Sequence, residues 1–300
     1  MPRQKMFYQQ IEGLRKRYYL ALPGKESLVN MLNETEVSEQ VYNSNAIENS
    51  TLTLEETEKI LLQIDLERFI NEREIFEAKN LARVMEYISM RAKDQDLDKE
   101  MILLLHKMLI TNIRNDIAGR FRANNEWVRV GSYIAPNPND VERLIDQMLA
   151  MYHGNANQHI VTRIASLHLT FEHIHPFVDG NGRIGRVMNN YALMREGYVP
   201  MTVRYTDRET YYQAFKNFEG KGDTSVMEDI VGKALVESYH KRLAYLEDKK
   251  TIPLAQYAKQ ERISLSNLLN KARRQTIEAF REKDVWKIGI SSPLLFIKEN

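Results

Sequence analysis

His175-Pro-Phe-Val-Asp-Gly-Asn-Gly-Arg-Ile-Gly-Arg186 is the stretch on which the reading of this 300-residue chain turns. It holds a candidate base, a carboxylate, a Gly-Asn-Gly turn and a pair of arginines, more chemistry than a connecting loop requires. Upstream, Ile160, Val161, Ile164, Leu167, His168 and Phe171 recur close to the spacing of a helix with a buried face. Pro176 disfavours helical geometry at His175, so the helix ends there with the imidazole facing a loop. Gly180 and Gly182 permit positive φ and close backbone approach, so the amides around Asn181 can form a concave anion nest. From Arg183 onward Ile184, Val187, Met188, Tyr191, Ala192 and Met194 resume helical spacing, which puts that nest at a helix N-terminus, where the dipole favours negative charge. Asp179 offers an oxygen ligand suited to Mg²⁺. Arg183 and Arg186 share one helix face and can fork onto phosphate oxygens. The stretch reads as a phosphate-handling site.

The same residues resemble the Fic motif, H-x-F-x-[D/E]-G-N-G-R-x-x-R, which His175, Phe177, Asp179, Gly180, Asn181, Gly182, Arg183 and Arg186 meet at every defined position. The resemblance implies a mainly α, Fic helical-bundle fold and an adenylyltransferase that moves AMP from ATP to a Ser, Thr or Tyr hydroxyl of a protein, the chain itself included. It further implies that His175 is the general base, that Asp179 holds Mg²⁺, and that Gly180, Asn181, Gly182, Arg183 and Arg186 bind the triphosphate. A de-AMPylase and a nucleotide-sensing, DNA-binding regulator stand as alternatives. Some relatives transfer phosphate or phosphocholine instead.

Ser44 and Glu48 are four apart, hence neighbours on a short helix expected before Thr53. With Asn49 they resemble the inhibitory pattern [S/T]-x-x-x-E-[G/N] of Fic proteins whose inhibitory helix precedes the catalytic motif. That implies a pair between Glu48 and Arg186, occupying the guanidinium that otherwise takes the γ-phosphate. The plainer alternative is a solvated carboxylate on an amphipathic helix. Just beyond, Thr53 and Glu56 have the spacing of a capping box.

Between Gly119 and Pro136 the period changes from helical to extended, and Gly131 with an Asn-rich turn suggests a small β-hairpin. The resemblance implies a flap there, with Arg129, Val130, Gly131 and Ser132 bordering the site and pairing with a target by strand addition. Asp207 to Phe215 is similar to the family's tyrosine-bearing helix, so Tyr211 and Tyr212 either contact adenine or ribose or pack in the core.

Composition closes off other classes. A net charge of +1 gives no long-range field for nucleic acid or membrane. The chain has no cysteine, hence no thiolate zinc site, disulfide or cysteine nucleophile. His168, His173 and His175 are spaced five and two apart, not the four of a helical zinc pair. A leader-like start and a membrane-spanning apolar run are lacking, so a cytoplasmic protein is expected.

Three regions are expected: an N-terminal helical region over 1–95 with the inhibitory motif, a catalytic core over 96–246, and a helix-turn-helix-like or winged-helix module over 252–300. Helices are expected over 66–95, with Phe69 on the apolar stripe, and after Asp98, with Leu104 facing inward. In the last module Ser264 is a candidate N-cap, Lys271, Arg273 and Arg274 make a local basic patch, and Val285–Ile290 reads as a wing-like strand. DNA binding, protein docking and dimerisation are all open for it. A homodimer is expected from the resemblance.

Overall fold

A computed structural model describes residues 3–131 and 133–290. Its packing divides the chain into two compact units, 35–232 and a second formed by 1–34 with 233–300.

The larger unit is built on two helices, α7 (Ile160–Ile174) and α8 (Asn181–Arg195), which pack against each other through nearly continuous buried faces. The preceding elements are α1 (Arg3–Ala21), α2 (Glu26–Ile47), α3 (Leu54–Leu61), α4 (Glu72–Arg91), α5 (Lys99–Ile110) and α6 (Val141–Gly154). Helices α4 and α5 flank α8, while α6 and α9 (Arg208–Lys221) flank α7. Their starts are locally encoded. Thr53 accepts from Glu56 N–H while Glu56 accepts from Thr53 N–H, the reciprocal capping box expected at α3. Asn71 and Asp98 cap α4 and α5 through side-chain oxygens.

Three local expectations need correction. Helix α4 begins at Glu72 rather than near 66, because Asn71 caps it, and Phe69 lies in the preceding loop at 93% exposure. Leu104 is also exposed, on the outer side of α5. Ser44 belongs not to a short helix but to the last turn of α2, which is 22 residues long.

A two-stranded antiparallel hairpin, β1 (Arg129–Val130) and β2 (Tyr133–Ile134), pairs Val130 with Tyr133. Ser132 lies outside the described residues.

In the second unit, residues 233–246 of α10 (Ser225–Leu246) are followed by β3 (Lys250–Pro253), α11 (Leu254–Gln260), α12 (Leu265–Arg273), β4 (Ala279–Glu282) and β5 (Val285–Ile290). The strands form an antiparallel sheet in the order β3-β5-β4. Leu254, Ala258, Leu268, Ala272 and Ala279 make its small core. Among the described residues no helix is long and apolar enough to cross a membrane.

Candidate functional site

Helix α7 stops at His175, whose backbone is left-handed at φ 48°, ψ 61°. Proline at 176 disfavours the right-handed helical conformation there, and the His175 N–H still closes the helix on the Phe171 carbonyl. The loop that follows is held from inside. Asn181 accepts from the Phe177 N–H through Oδ1 and donates to its carbonyl through Nδ2, both at 2.8 Å, so its buried amide staples the loop. Its side chain is thereby committed, leaving the helix N-terminal amides as the anion-facing groups. Gly180 takes φ 84° as the N-cap of α8. A methyl at Gly182 would come within 2.1 Å of Glu48 Oε1, so glycine here lets that carboxylate approach the start of α8.

Several residues whose importance is not apparent from sequence hold the same loop. Arg122, fully buried, donates to the carbonyls of His175 at 2.8 Å and Ile174 at 3.2 Å and to that of Pro136 at 2.6 Å. His106 stacks on Phe177 with ring centroids 3.6 Å apart. Its Nδ1 accepts from Gly119 N–H, so Nε2 carries the proton and donates to the Asp179 carbonyl at 3.1 Å. Burial holds this imidazole neutral, near pKa 4.

The His175 ring lies beside Glu172. Nδ1 is 3.4 Å from the Glu172 carbonyl, which can only accept, so in this contact the proton is on Nδ1 and Nε2 is left as a base. Burial pulls His175 down to about pKa 4. Glu172 Oε2 sits 3.8 Å from the same Nδ1. Burial first, and the charge of Glu48 second, push the Glu172 carboxyl up to about 8, so it is protonated at neutral pH.

Asp179 joins a closed ring of charges. Its Oδ2 pairs with Arg73 at 2.6 Å and its Oδ1 with Arg183 at 3.2 Å, while Glu77 Oε1 bridges the same arginines at 3.0 and 3.1 Å. Burial pushes the Asp179 carboxyl up, but Arg183 and Arg73 outweigh it and hold it below its ordinary value. Asp179 supplies one carboxylate, the hard oxygen donor that would suit a cation such as Mg²⁺. In this arrangement Asp179 Oδ2 is taken by the half-exposed Arg73, which also pairs with Glu77.

Arg186 is buried and fully engaged. Nε donates to Ser44 Oγ at 2.9 Å, Nη2 to the Ser44 carbonyl at 2.8 Å and to Glu48 Oε1 at 2.9 Å, and Nη1 to the Tyr211 hydroxyl at 3.2 Å. The Tyr211 hydroxyl, receiving from Arg186, donates to His168 Nε2 at 2.7 Å. Tyr211 is thus a core residue bracing Arg186, whereas Tyr212 is partly exposed and donates to the Ile47 carbonyl. Glu48 follows the last residue of α2, where Ser50 N–H bonds the Asn45 carbonyl and Asn49 N–H the Ala46 carbonyl, each at 3.0 Å, with Asn49 at φ 69°. This Schellman closure needs a residue tolerant of the left-handed region, which explains asparagine at 49.

Some of these parts line one cavity of about 500 Å³, whereas Asp179, Asn181, Arg183 and Arg186 are not among its lining residues. Glu48 and Asn49 line it from the end of α2, Glu172 and His175 from α7 and its cap, Gly182 from α8, Tyr211 and Tyr212 from α9, and Arg129, Val130 and Gly131 from the hairpin. Tyr133 anchors that hairpin, stacking on His173 and donating to its carbonyl.

Residues 96–193 match the model of the Fic/DOC family. The chain is similar to the protein adenylyltransferase Fic of Drosophila sechellia, 32% identical over 191 residues that cover 62% of this chain and 38% of the relative. It is similar to that of Drosophila ananassae, 28% identical over 71% of this chain and 45% of the relative. The chain spans less than half the length of these curated relatives. Among solved structures, a Fic-domain-containing signaling protein from Bacteroides thetaiotaomicron aligns at TM-score 0.71 and 22% identity, over 80% of this chain and 98% of that one. A Fic family protein from Desulfovibrio desulfuricans aligns at TM-score 0.68 and 20% identity, over 98% and 97%. The match to the Fic/DOC family covers residues 96–193, and the likeness to the solved structures shows a shared fold.

Proposed function

We propose that this protein transfers AMP from ATP to a Ser, Thr or Tyr hydroxyl of a protein, itself included, and that the geometry described is its inhibited state. One observation carries the reading: Glu48, which lines the same cavity as His175, bonds the buried Arg186 guanidinium through Oε1 at 2.9 Å. The curated relatives bearing the name adenylyltransferase support it.

In this reading His175 Nε2 takes the proton of the incoming hydroxyl. Burial keeps the ring neutral at physiological pH, and the Glu172 carbonyl fixes its tautomer. Strand addition at Val130 and Gly131 holds the target segment beside it. The amides at the start of α8 and Arg183 stabilise charge on the phosphates as pyrophosphate leaves, and Arg186 takes the γ-phosphate once Glu48 moves away. Asp179 is the residue that would hold Mg²⁺, which when bound neutralises phosphate charge. The remaining work is positioning.

Hydrolytic removal of AMP is a second reading, favoured by Glu48 facing the same cavity as His175, where its carboxylate can align a water. Labelled ATP separates the outcomes. With Glu48→Gly protein, retention of an α-phosphate label on protein and loss of a γ-label supports AMP transfer. Retention of the γ-label would contradict it, and AMP release from a modified substrate by wild type alone would favour hydrolysis.

A further inference from the structure

We propose that residues 233–290 form a winged helix that binds duplex DNA through α12 and the turn before it. The element order, helix, strand, two helices and two strands with β5 central, is the order of that module. The hairpin joining β4 to β5 turns at Lys283 and Asp284, both left-handed at φ 49° and 60°, the signature of a tight two-residue turn at a wing tip.

Helix α12 is divided into faces. Leu268 and Ala272 are buried in the module core, with Leu269 packed against it. Ser266, Asn267, Asn270, Lys271, Arg273 and Arg274 are exposed. The face is therefore polar, offering amide groups that can pair with base edges and cations that can reach phosphates. Nine residues span about 13 Å, which suits a major groove about 12 Å wide.

Charge carries the argument further. Residues 250–290 hold nine Lys and Arg against four Asp and Glu, in a chain of net charge +1. Elsewhere in this unit basic groups are consumed by partners: Arg281 by Glu237, Lys249 by Glu278, Lys287 by Glu282. By contrast, Lys259, Arg262, Lys271, Arg273 and Arg274 are exposed and their side chains form no ion pair or hydrogen bond among the described residues. They sit at the end of α11, in the turn and at the end of α12, flanking Ser266, Asn267 and Asn270 on both sides. Of the acids, Glu261 alone stands in that turn, while Glu278 and Glu282 are already paired. A cationic rim around a polar helix face is complementary to a polyanion with a readable groove. The wide major groove favours DNA over an RNA duplex, whose major groove is too narrow for a helix.

The test is fluorescence anisotropy of the full chain with a labelled random-sequence duplex of about 20 base pairs across a salt series. Neutralising about five phosphates predicts a slope of log affinity against log salt of about −4.5. Lys271→Gln with Arg274→Gln should flatten it by about 2, with the circular dichroism spectrum unchanged. Absence of salt-dependent binding, or a slope that these substitutions leave unaltered, overturns the proposal. So does a result in which the paired substitutions change only the self-association of the chain, seen by sedimentation, or only its retention on anionic vesicles. None of these readouts depends on AMP transfer, so the two proposals fail separately.

Discussion

The Arg122 guanidinium donates through Nε to the carbonyl oxygen of His175 at 2.8 Å, while the Arg122 N–H bonds the carbonyl of Pro176. One side chain from the approach to the hairpin thus holds the backbone of the candidate base, and it reaches the Pro136 carbonyl beyond the hairpin as well. Arg122→Leu leaves buried carbonyls at 136, 174 and 175 unpaired. We expect a loss of about 3 to 5 kcal/mol in urea unfolding. Arg122→Lys should recover only part of it, because a single ammonium cannot span three carbonyls.

The buried carboxyl of Glu172 sets a pH dependence of stability. Its folded value of about 8 exceeds its ordinary 4.5, so its contribution is complete below pH 4.5 and is lost as pH rises through 8. His168 and His175, held near 3 and 4, act oppositely: their contribution is present above 6.5 and is lost as pH falls through 4. Melting temperature should therefore peak around pH 6.5 and fall towards pH 8. In Glu172→Gln the decline above 6.5 should flatten, a difference on the order of 1 to 2 kcal/mol. An identical decline in both proteins would refute the assignment.

Asn49 fixes the direction of Glu48 by closing α2 in the left-handed region. Asn49→Gly should keep the inhibited state, since glycine adopts φ 69° without cost. A β-branched residue there costs about 1 to 2 kcal/mol. Asn49→Val should loosen the closure and raise self-labelling above wild type, though below Glu48→Gly, in a radiolabel gel assay.

Arg73 pairs with Asp179 Oδ2 at 2.6 Å, on the carboxylate that would hold Mg²⁺ in the proposed function. A half-exposed ion pair contributes at most about 1 kcal/mol. Arg73→Gln should lower the Mg²⁺ concentration giving half-maximal labelling by up to about fivefold, and Mn²⁺ binding followed by electron paramagnetic resonance should tighten to match. Unchanged Mn²⁺ affinity would show that Arg73 does not hold the carboxylate in solution.

The central hairpin of helices was legible from sequence because its signals are local: apolar spacing before His175, a proline at 176, glycines at 180 and 182, renewed spacing from Arg183. The cap at Thr53 and the turn at Gly131 were legible for the same reason. What escaped depends on distant partners. Arg122 lay in plain view within the hairpin stretch, yet its acceptors are main-chain carbonyls that carry no sequence signature. Glu172 looks like any helical carboxylate until packing buries it, and His106 like any core histidine until it stacks on Phe177. Phe69 misled because an apolar residue at helical spacing was counted before the Asn71 cap, which overrides it. The packing of 1–34 with 233–300 is likewise a matter of remote contacts, such as Lys25 to the Leu246 carbonyl.

The contact between Glu48 and Arg186 is the centre of the account, and label incorporation from ATP carrying its tracer on the α-phosphate tests it most directly. Wild type, Glu48→Gly and Glu48→Gly with His175→Ala are compared at equal concentration with Mg²⁺. The account predicts that wild type labels weakly, that Glu48→Gly labels at least tenfold more, a difference of about 1.4 kcal/mol or greater, and that adding His175→Ala abolishes the signal. Equal labelling by wild type and Glu48→Gly would contradict it.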